Sequence, residues 1–116
     1  LEADLKQYPV KMRKQMQLFV TLEPCMMCLG AAMSFFIGEI YYALEAPIDG
    51  AVNRAQQSFN IVSKEIPAYT LPNIYSGILR EQSLELFREF IELKKTGPMV
   101  EFSKSLLMTN IETDLK

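Results

Sequence analysis

The sequence predicts an α/β domain, and three observations carry that prediction. Gln17–Leu22 is a short apolar, partly β-branched run, Cys25–Ile37 carries apolar residues at helical spacing, and Glu39–Leu44 is a second strand-like run. Strand, helix and strand joined by connections this short form a βαβ unit, whose strands normally lie parallel because the helix carries the chain back across the sheet. At 116 residues the chain has room for one ordinary domain and too little for two, so any site is built on a single core.

The elements follow in order. Leu1, Leu5 and Tyr8 recur at helical spacing until Pro9 stops the pattern, so residues 1–16 read as a loop preceded by the end of a helix that starts before Leu1. Glu23-Pro24 turns the chain out of the first strand. Pro24 suits a helix start, where its missing N–H is an orphan donor anyway. Cys28, Leu29, Ala32, Met33, Phe36 and Ile37 make the expected buried stripe, small residues at Gly30, Ala31 and Ala32 allow close approach to a sheet, and Gly38 ends the helix. After the second strand, Ala46–Gly50 reads as a turn and Ala51–Phe59 as a short helix.

Pro67 and Pro72 restrict regular structure between residues 60 and 73, and Asn73–Leu79 suits a short edge strand interrupted by Gly77. Arg80–Lys95 is a strong amphipathic helix with Leu84, Phe87 and Ile91 on its apolar face, broadened by Leu86, Phe90 and Leu93. Gly97 and Pro98 stop it, and Met99–Asn110 is read as a further helix.

Hydrophobic residues make up 49% and charged residues 22%, which suits a folded globular chain. The net charge of −2 offers no broad basic field for a phosphate backbone, although Lys11, Arg13 and Lys14 cluster early and Lys94 and Lys95 close a helix. No apolar run is long enough to span a bilayer, so a cytoplasmic protein without a membrane partner is expected. There is no histidine, which excludes a Ser-His-Asp triad, a Cys-His pair and any histidine-containing metal site made from this chain alone.

Two cysteines, Cys25 and Cys28, stand three positions apart at the first turn of the predicted helix. That position offers unpaired N–H groups and a partial positive charge, both of which favour thiolate, the form that binds zinc. A closed structural zinc site needs two further Cys or His ligands, which the chain lacks. An open catalytic site needs one more protein ligand, either a carboxylate or a group from outside Leu1–Lys116. Glu23 invites a catalytic reading, but a backbone role in the turn suits it better.

Thr21-Leu22-Glu23-Pro24-Cys25-Met26-Met27-Cys28-Leu29-Gly30-Ala31 resembles the second metal motif of the cytidine deaminase-like superfamily, most of all its branch of tRNA adenosine, guanine and nucleoside deaminases. Gly38–Ala43, Asp49-Gly50-Ala51 and Gly77-Ile78-Leu79 are similar to later segments of that family, so the likeness runs from about Phe19 to Lys95. It implies a three-layer α-β-α fold with a mixed sheet, of which this chain covers the C-terminal portion, with residues 97–116 as a helical extension. It also implies Zn2+ held by Cys25 and Cys28, and a His-x-Glu on an earlier helix supplying the third ligand and the general acid/base glutamate. Counting back from Cys25 places that His-x-Glu before Leu1, so the chain alone is expected to be inactive.

The resemblance implies a hydrolase that releases ammonia from a nucleobase, nucleoside or nucleotide. The acidic balance favours such small substrates over tRNA, which is not favoured though not excluded, with Tyr41, Tyr42, Phe59 and Tyr69 as candidate stacking partners. An apolar cluster of Met26, Met27, Met33, Phe35 and Phe36 around the motif helix suggests a homo-oligomer. Two other functions remain open: a CxxC thiol-disulfide oxidoreductase, whose cysteine pair occupies the same place after a strand, and a deaminase-fold interaction protein without catalysis.

Overall fold

The computed structural model describes residues 5–62 and 70–115. Its elements are α1 (Val10–Arg13), β1 (Gln17–Leu22), α2 (Met26–Ser34), β2 (Glu39–Leu44), α3 (Val52–Val62), β3 (Asn73–Tyr75), α4 (Arg80–Lys94) and α5 (Pro98–Leu115). The strands pair in the order β1-β2-β3 and both pairings are parallel, with Leu18 opposite Ile40 and Ile40 opposite Ile74. The β1-α2-β2 segment is therefore the parallel βαβ unit that the apolar pattern predicts. Apart from an isolated antiparallel bridge between Cys25 and Gly50, the described pairing is parallel.

Helices cover both faces of the sheet. On one face Leu29, Ala32, Met33 and Ile37 join Ile40, Ala51 and Ala55 in a core, against which Leu18, Val20 and Ile74 pack. Towards the C-terminal ends of the strands, Ala43, Leu44 and Leu84 form a second core with Leu22, Phe87 and Leu107. Phe19, Tyr41 and Tyr75 lie in cross-strand register across the middle of β1 and β2 and the end of β3, and stack with ring centroids 4.8 Å apart in each pair. This ladder stays largely open, Phe19 being 63% exposed. Among the described residues no helix is long and apolar enough to cross a membrane.

Several boundaries differ from expectation for identifiable reasons. The α2 stripe consists of Leu29, Ala32, Met33 and Ile37, whereas Cys28 is exposed and Phe36 half-buried, because the buried arc is set one residue further round the helix. The helix ends at Ser34 in a Schellman turn: the Ile37 N–H donates to Ala32 O at 3.0 Å and the Phe36 N–H to Met33 O at 3.1 Å. Phe36, at φ 61°, takes the left-handed position usually given to glycine. Gly38 serves instead as a point of close approach, since a Cβ there would collide with the Lys14 carbonyl.

Pro9 does more than stop a pattern. Its fixed φ of −65° makes it the N-cap of the single-turn α1. Leu86 and Leu93 do not broaden the α4 face; they are exposed, and Leu84, Phe87, Phe90 and Ile91 face inward to different degrees. Pro98 opens α5 at the first helical position, which explains why that helix begins earlier than Met99; at its other end it runs past Asn110 to Leu115. Residues 1–4 of the helix expected before Pro9, Pro67 and most of the segment between 60 and 73 fall outside the described residues, as do Tyr69 and the side chain of Phe59.

The α5 helix docks along α4 and buries Val100, Ser103, Leu106 and Asn110. Asn110 Oδ1 accepts from the Glu45 N–H at 2.9 Å, and its Nδ2 donates to Glu45 O at 3.0 Å and Leu106 O at 2.8 Å. One amide thus ties the exit of β2 to the last helix. Replacing it strands two backbone groups, so Asn110→Leu is expected to lower stability by about 2–4 kcal/mol in urea unfolding. A change below about 0.5 kcal/mol would show that water satisfies Glu45 as well as the asparagine does.

Candidate metal centre

The first strand delivers the cysteine pair through a turn fixed by backbone and side chain together. The Glu23 N–H donates to Leu44 O at 2.8 Å, extending the β1-β2 pairing past Leu22, and Pro24 O accepts the Ala51 N–H at 3.0 Å. The Cys25-Gly50 bridge holds the same two segments side by side. Cys25 is then the N-cap of α2, with extended backbone at φ −74° and ψ 175°, and its carbonyl accepts the Leu29 N–H at 2.9 Å.

The Glu23 carboxylate completes this junction. Its Oε2 accepts the Ala46 N–H at 3.0 Å and its Oε1 the Val52 N–H at 3.1 Å, so one side chain binds the loop after β2 and the first turn of α3. The negative charge also sits favourably at the start of that helix. Glu23 therefore stabilises the turn, as expected, but through its carboxylate more than its backbone. With both oxygens accepting from amides, it is poorly placed to shuttle a proton. Gly50 lies against it so closely that a Cβ would collide with the carboxylate.

Cys25 is half-buried, Cys28 is exposed and both are free thiols. The Cys28 amide, then the Cys28 thiol and the Met27 amide, favour thiolate at Cys25 and hold its pKa below the usual thiol range. Sharing its proton with Cys25 raises the pKa of Cys28, and burial adds to the effect. Two adjacent sulfurs, one already inclined to ionise and both reachable from solvent, suit a thiophilic cation such as zinc. They supply two donors. Among the described residues no three Cys, Asp or Glu side chains converge as a complete metal site.

The candidate stacking residues separate. Tyr42 is a core residue, with its phenol pushed up to about 12 by burial and by the Glu23 and Glu45 carboxylates. Tyr41 belongs to the open aromatic ladder, where its hydroxyl donates to Glu39. Met33 is buried, but Met26 and Met27 are 62% and 79% exposed beside the cysteines. Sequence reading missed Ala46, Gly50 and Val52 as partners of Glu23; the one available signal was the Asp49-Gly50 turn pair.

No protein-family model matches the chain. A tRNA-specific adenosine deaminase of Agrobacterium fabrum is 35% identical over 78 residues, which are 67% of this chain and 49% of that protein. A tRNA-specific adenosine deaminase of Rickettsia typhi is 36% identical over 75 residues, 65% of this chain and 48% of the relative. The chain belongs to the cytidine deaminase-like superfamily. Its place there is in the tRNA deaminase branch, and it spans about half the length of the curated relatives it matches. A solved structure from a study of A-to-I editing by tRNA deaminases at the wobble position is 35% identical, with a TM-score of 0.45, over 60% of this chain and 47% of that one.

Two tests address this deaminase-like junction. Gly50→Ala should push the new methyl into Glu23 and cost about 1–3 kcal/mol in chemical unfolding; an unchanged midpoint would mean that the carboxylate has room to move. In chelator-treated protein near neutral pH, limiting iodoacetamide should alkylate Cys25 before Cys28, because the lower pKa leaves more thiolate. Peptide mass mapping that finds Cys28 modified first would contradict that order.

Proposed function

We propose that the chain is part of a zinc-dependent hydrolytic deaminase acting on adenosine in RNA, with tRNA as the substrate class. The observation that carries this reading is the cysteine pair at the N-terminus of α2, delivered by β1 and locked by Glu23, in a chain whose relatives are named tRNA-specific adenosine deaminases. Those relatives outweigh the mildly acidic charge that points towards a free base, nucleoside or nucleotide. They also favour hydrolysis over thiol-disulfide exchange.

In this proposal Cys25 and Cys28 hold the zinc. A third ligand and a proton-carrying glutamate come from a His-x-Glu motif outside residues 1–116. Zinc, when bound, supplies the Lewis acidity that lowers the pKa of a water molecule to about 7. The overall change replaces the ring amine with oxygen from water and releases ammonia, so adenosine becomes inosine. This chain holds both sulfurs at one helix start, supports the ionisation of Cys25 with backbone N–H groups, and prevents the turn from opening through Glu23. The exposed Met26 and Met27 favour a homo-oligomer assembled near the cysteines.

The complete protein should bind one zinc per subunit and convert adenosine to inosine in tRNA, read by metal analysis and nucleoside mass spectrometry. Cys25→Ser and Cys28→Ser should each remove most of the zinc and lower the rate by about 100-fold or more, about 2.7 kcal/mol of barrier. Full activity in either variant would refute their assignment as ligands.

A further inference from the structure

The turn that precedes β1 carries a charge opposite to that of the whole chain. Residues 5–16 hold four cations, Lys6, Lys11, Arg13 and Lys14, and no carboxylate, in a chain of net charge −2. None of Lys11, Arg13 and Lys14 forms an ion pair among the described residues. Glu39, the first residue of β2, accepts a hydrogen bond from the Tyr41 hydroxyl.

Two of these cations are ordered on aromatic rings. The Arg13 guanidinium lies 5.8 Å from the centroid of Phe35, and its Nε donates to Tyr8 O at 2.8 Å. The Lys14 ammonium lies 5.9 Å from the centroid of Phe36. The left-handed backbone at Phe36 and the approach of Gly38 to the Lys14 carbonyl bring the end of α2 against this turn. Cations already held against rings lose less side-chain entropy when an anion docks. Beside Lys14, a cleft of about 280 Å³ runs between Phe36 and Asn73.

We infer that Lys11, Arg13 and Lys14, backed by Phe35 and Phe36, form a contact for the phosphate backbone of an RNA. Cations held in place over aromatic rings present a fixed positive surface to the phosphates of a nucleic acid. The inference rests on the proposed RNA substrate. It adds a second contact, because the turn lies at the N-terminal end of β1 and Cys25 beyond its C-terminal end. At about 3.3 Å per residue, the ends of β1 are roughly 17 Å apart, more than a mononucleotide bridges. The surface therefore reads the RNA away from the reacting base and contributes affinity without base specificity.

The test uses the complete protein, a fluorescently labelled stem-loop RNA and anisotropy titrations between about 50 and 200 mM NaCl. The double variant Lys11→Gln, Lys14→Gln should bind at least about fivefold more weakly and reduce the slope of log affinity against log salt by about 1.4–1.8. Lys11→Arg, Lys14→Arg should retain the slope, and Lys104→Gln on α5 should leave affinity unchanged. Wild-type binding with no change in the glutamine variant overturns this inference alone and leaves the deaminase reading intact. A wild-type protein that binds no RNA at any salt overturns both. Loss of binding to phosphatidylserine vesicles with RNA binding unchanged overturns it in favour of a membrane surface.

Discussion

The junction depends on one carboxylate. Glu23 follows β1 directly, and its oxygens accept from the backbone N–H groups of Ala46 and Val52, which lie after β2 and at the start of α3. Three segments distant in sequence therefore meet at one charged side chain, and the residue immediately beyond them is Pro24, followed by Cys25. Hydrogen bonds to an ionised acceptor are among the stronger ones a protein makes. The constraint is also steric, because Gly50 leaves only hydrogen where a methyl would strike the carboxylate. A cysteine pair on a floppy turn would lose entropy on binding a metal; this turn has lost it already on folding.

A second polar tie works in the same region from the other layer. Asn110 on α5 satisfies both backbone groups of Glu45, whose own carboxylate accepts two hydrogen bonds from Arg80 Nη2 at 2.8 and 2.9 Å. The exit of β2 is thus held by α3 through Glu23 and by α4 and α5 through Arg80 and Asn110. Parallel α/β sheets place their sites at the carboxyl ends of strands, where connecting loops converge. Here the loops converge because the Glu23 and Asn110 side chains satisfy backbone groups that the strands have stopped pairing.

Much of this was legible in the sequence. The βαβ unit followed from apolar spacing alone, and Cys25 and Cys28 were visible as a helix-start pair. The metal-motif likeness indicated the superfamily to which the matched relatives also lead. What escaped was whatever depended on tertiary geometry. Periodicity placed Cys28 in the buried stripe because cysteine counts as apolar, whereas the helix is rotated enough to leave its sulfur exposed. Glycine usually stops a helix, which points to Gly38, whereas Phe36 accepts the left-handed turn and Gly38 answers a contact with Lys14. The reach of Glu23 to Val52 joins residues far apart in the chain, and no local pattern encodes it. The clustering of Lys11, Arg13 and Lys14 is visible in the sequence, whereas the placing of Arg13 over Phe35 and Lys14 over Phe36 is not.

In the proposed site the two sulfurs are ligands of one metal and leave a coordination position open. Zinc K-edge absorption spectroscopy on the complete protein measures that directly. The expected spectrum has two sulfur scatterers per zinc at about 2.3 Å with nitrogen or oxygen in the remaining shell. A shell with no sulfur, or with four, would contradict it.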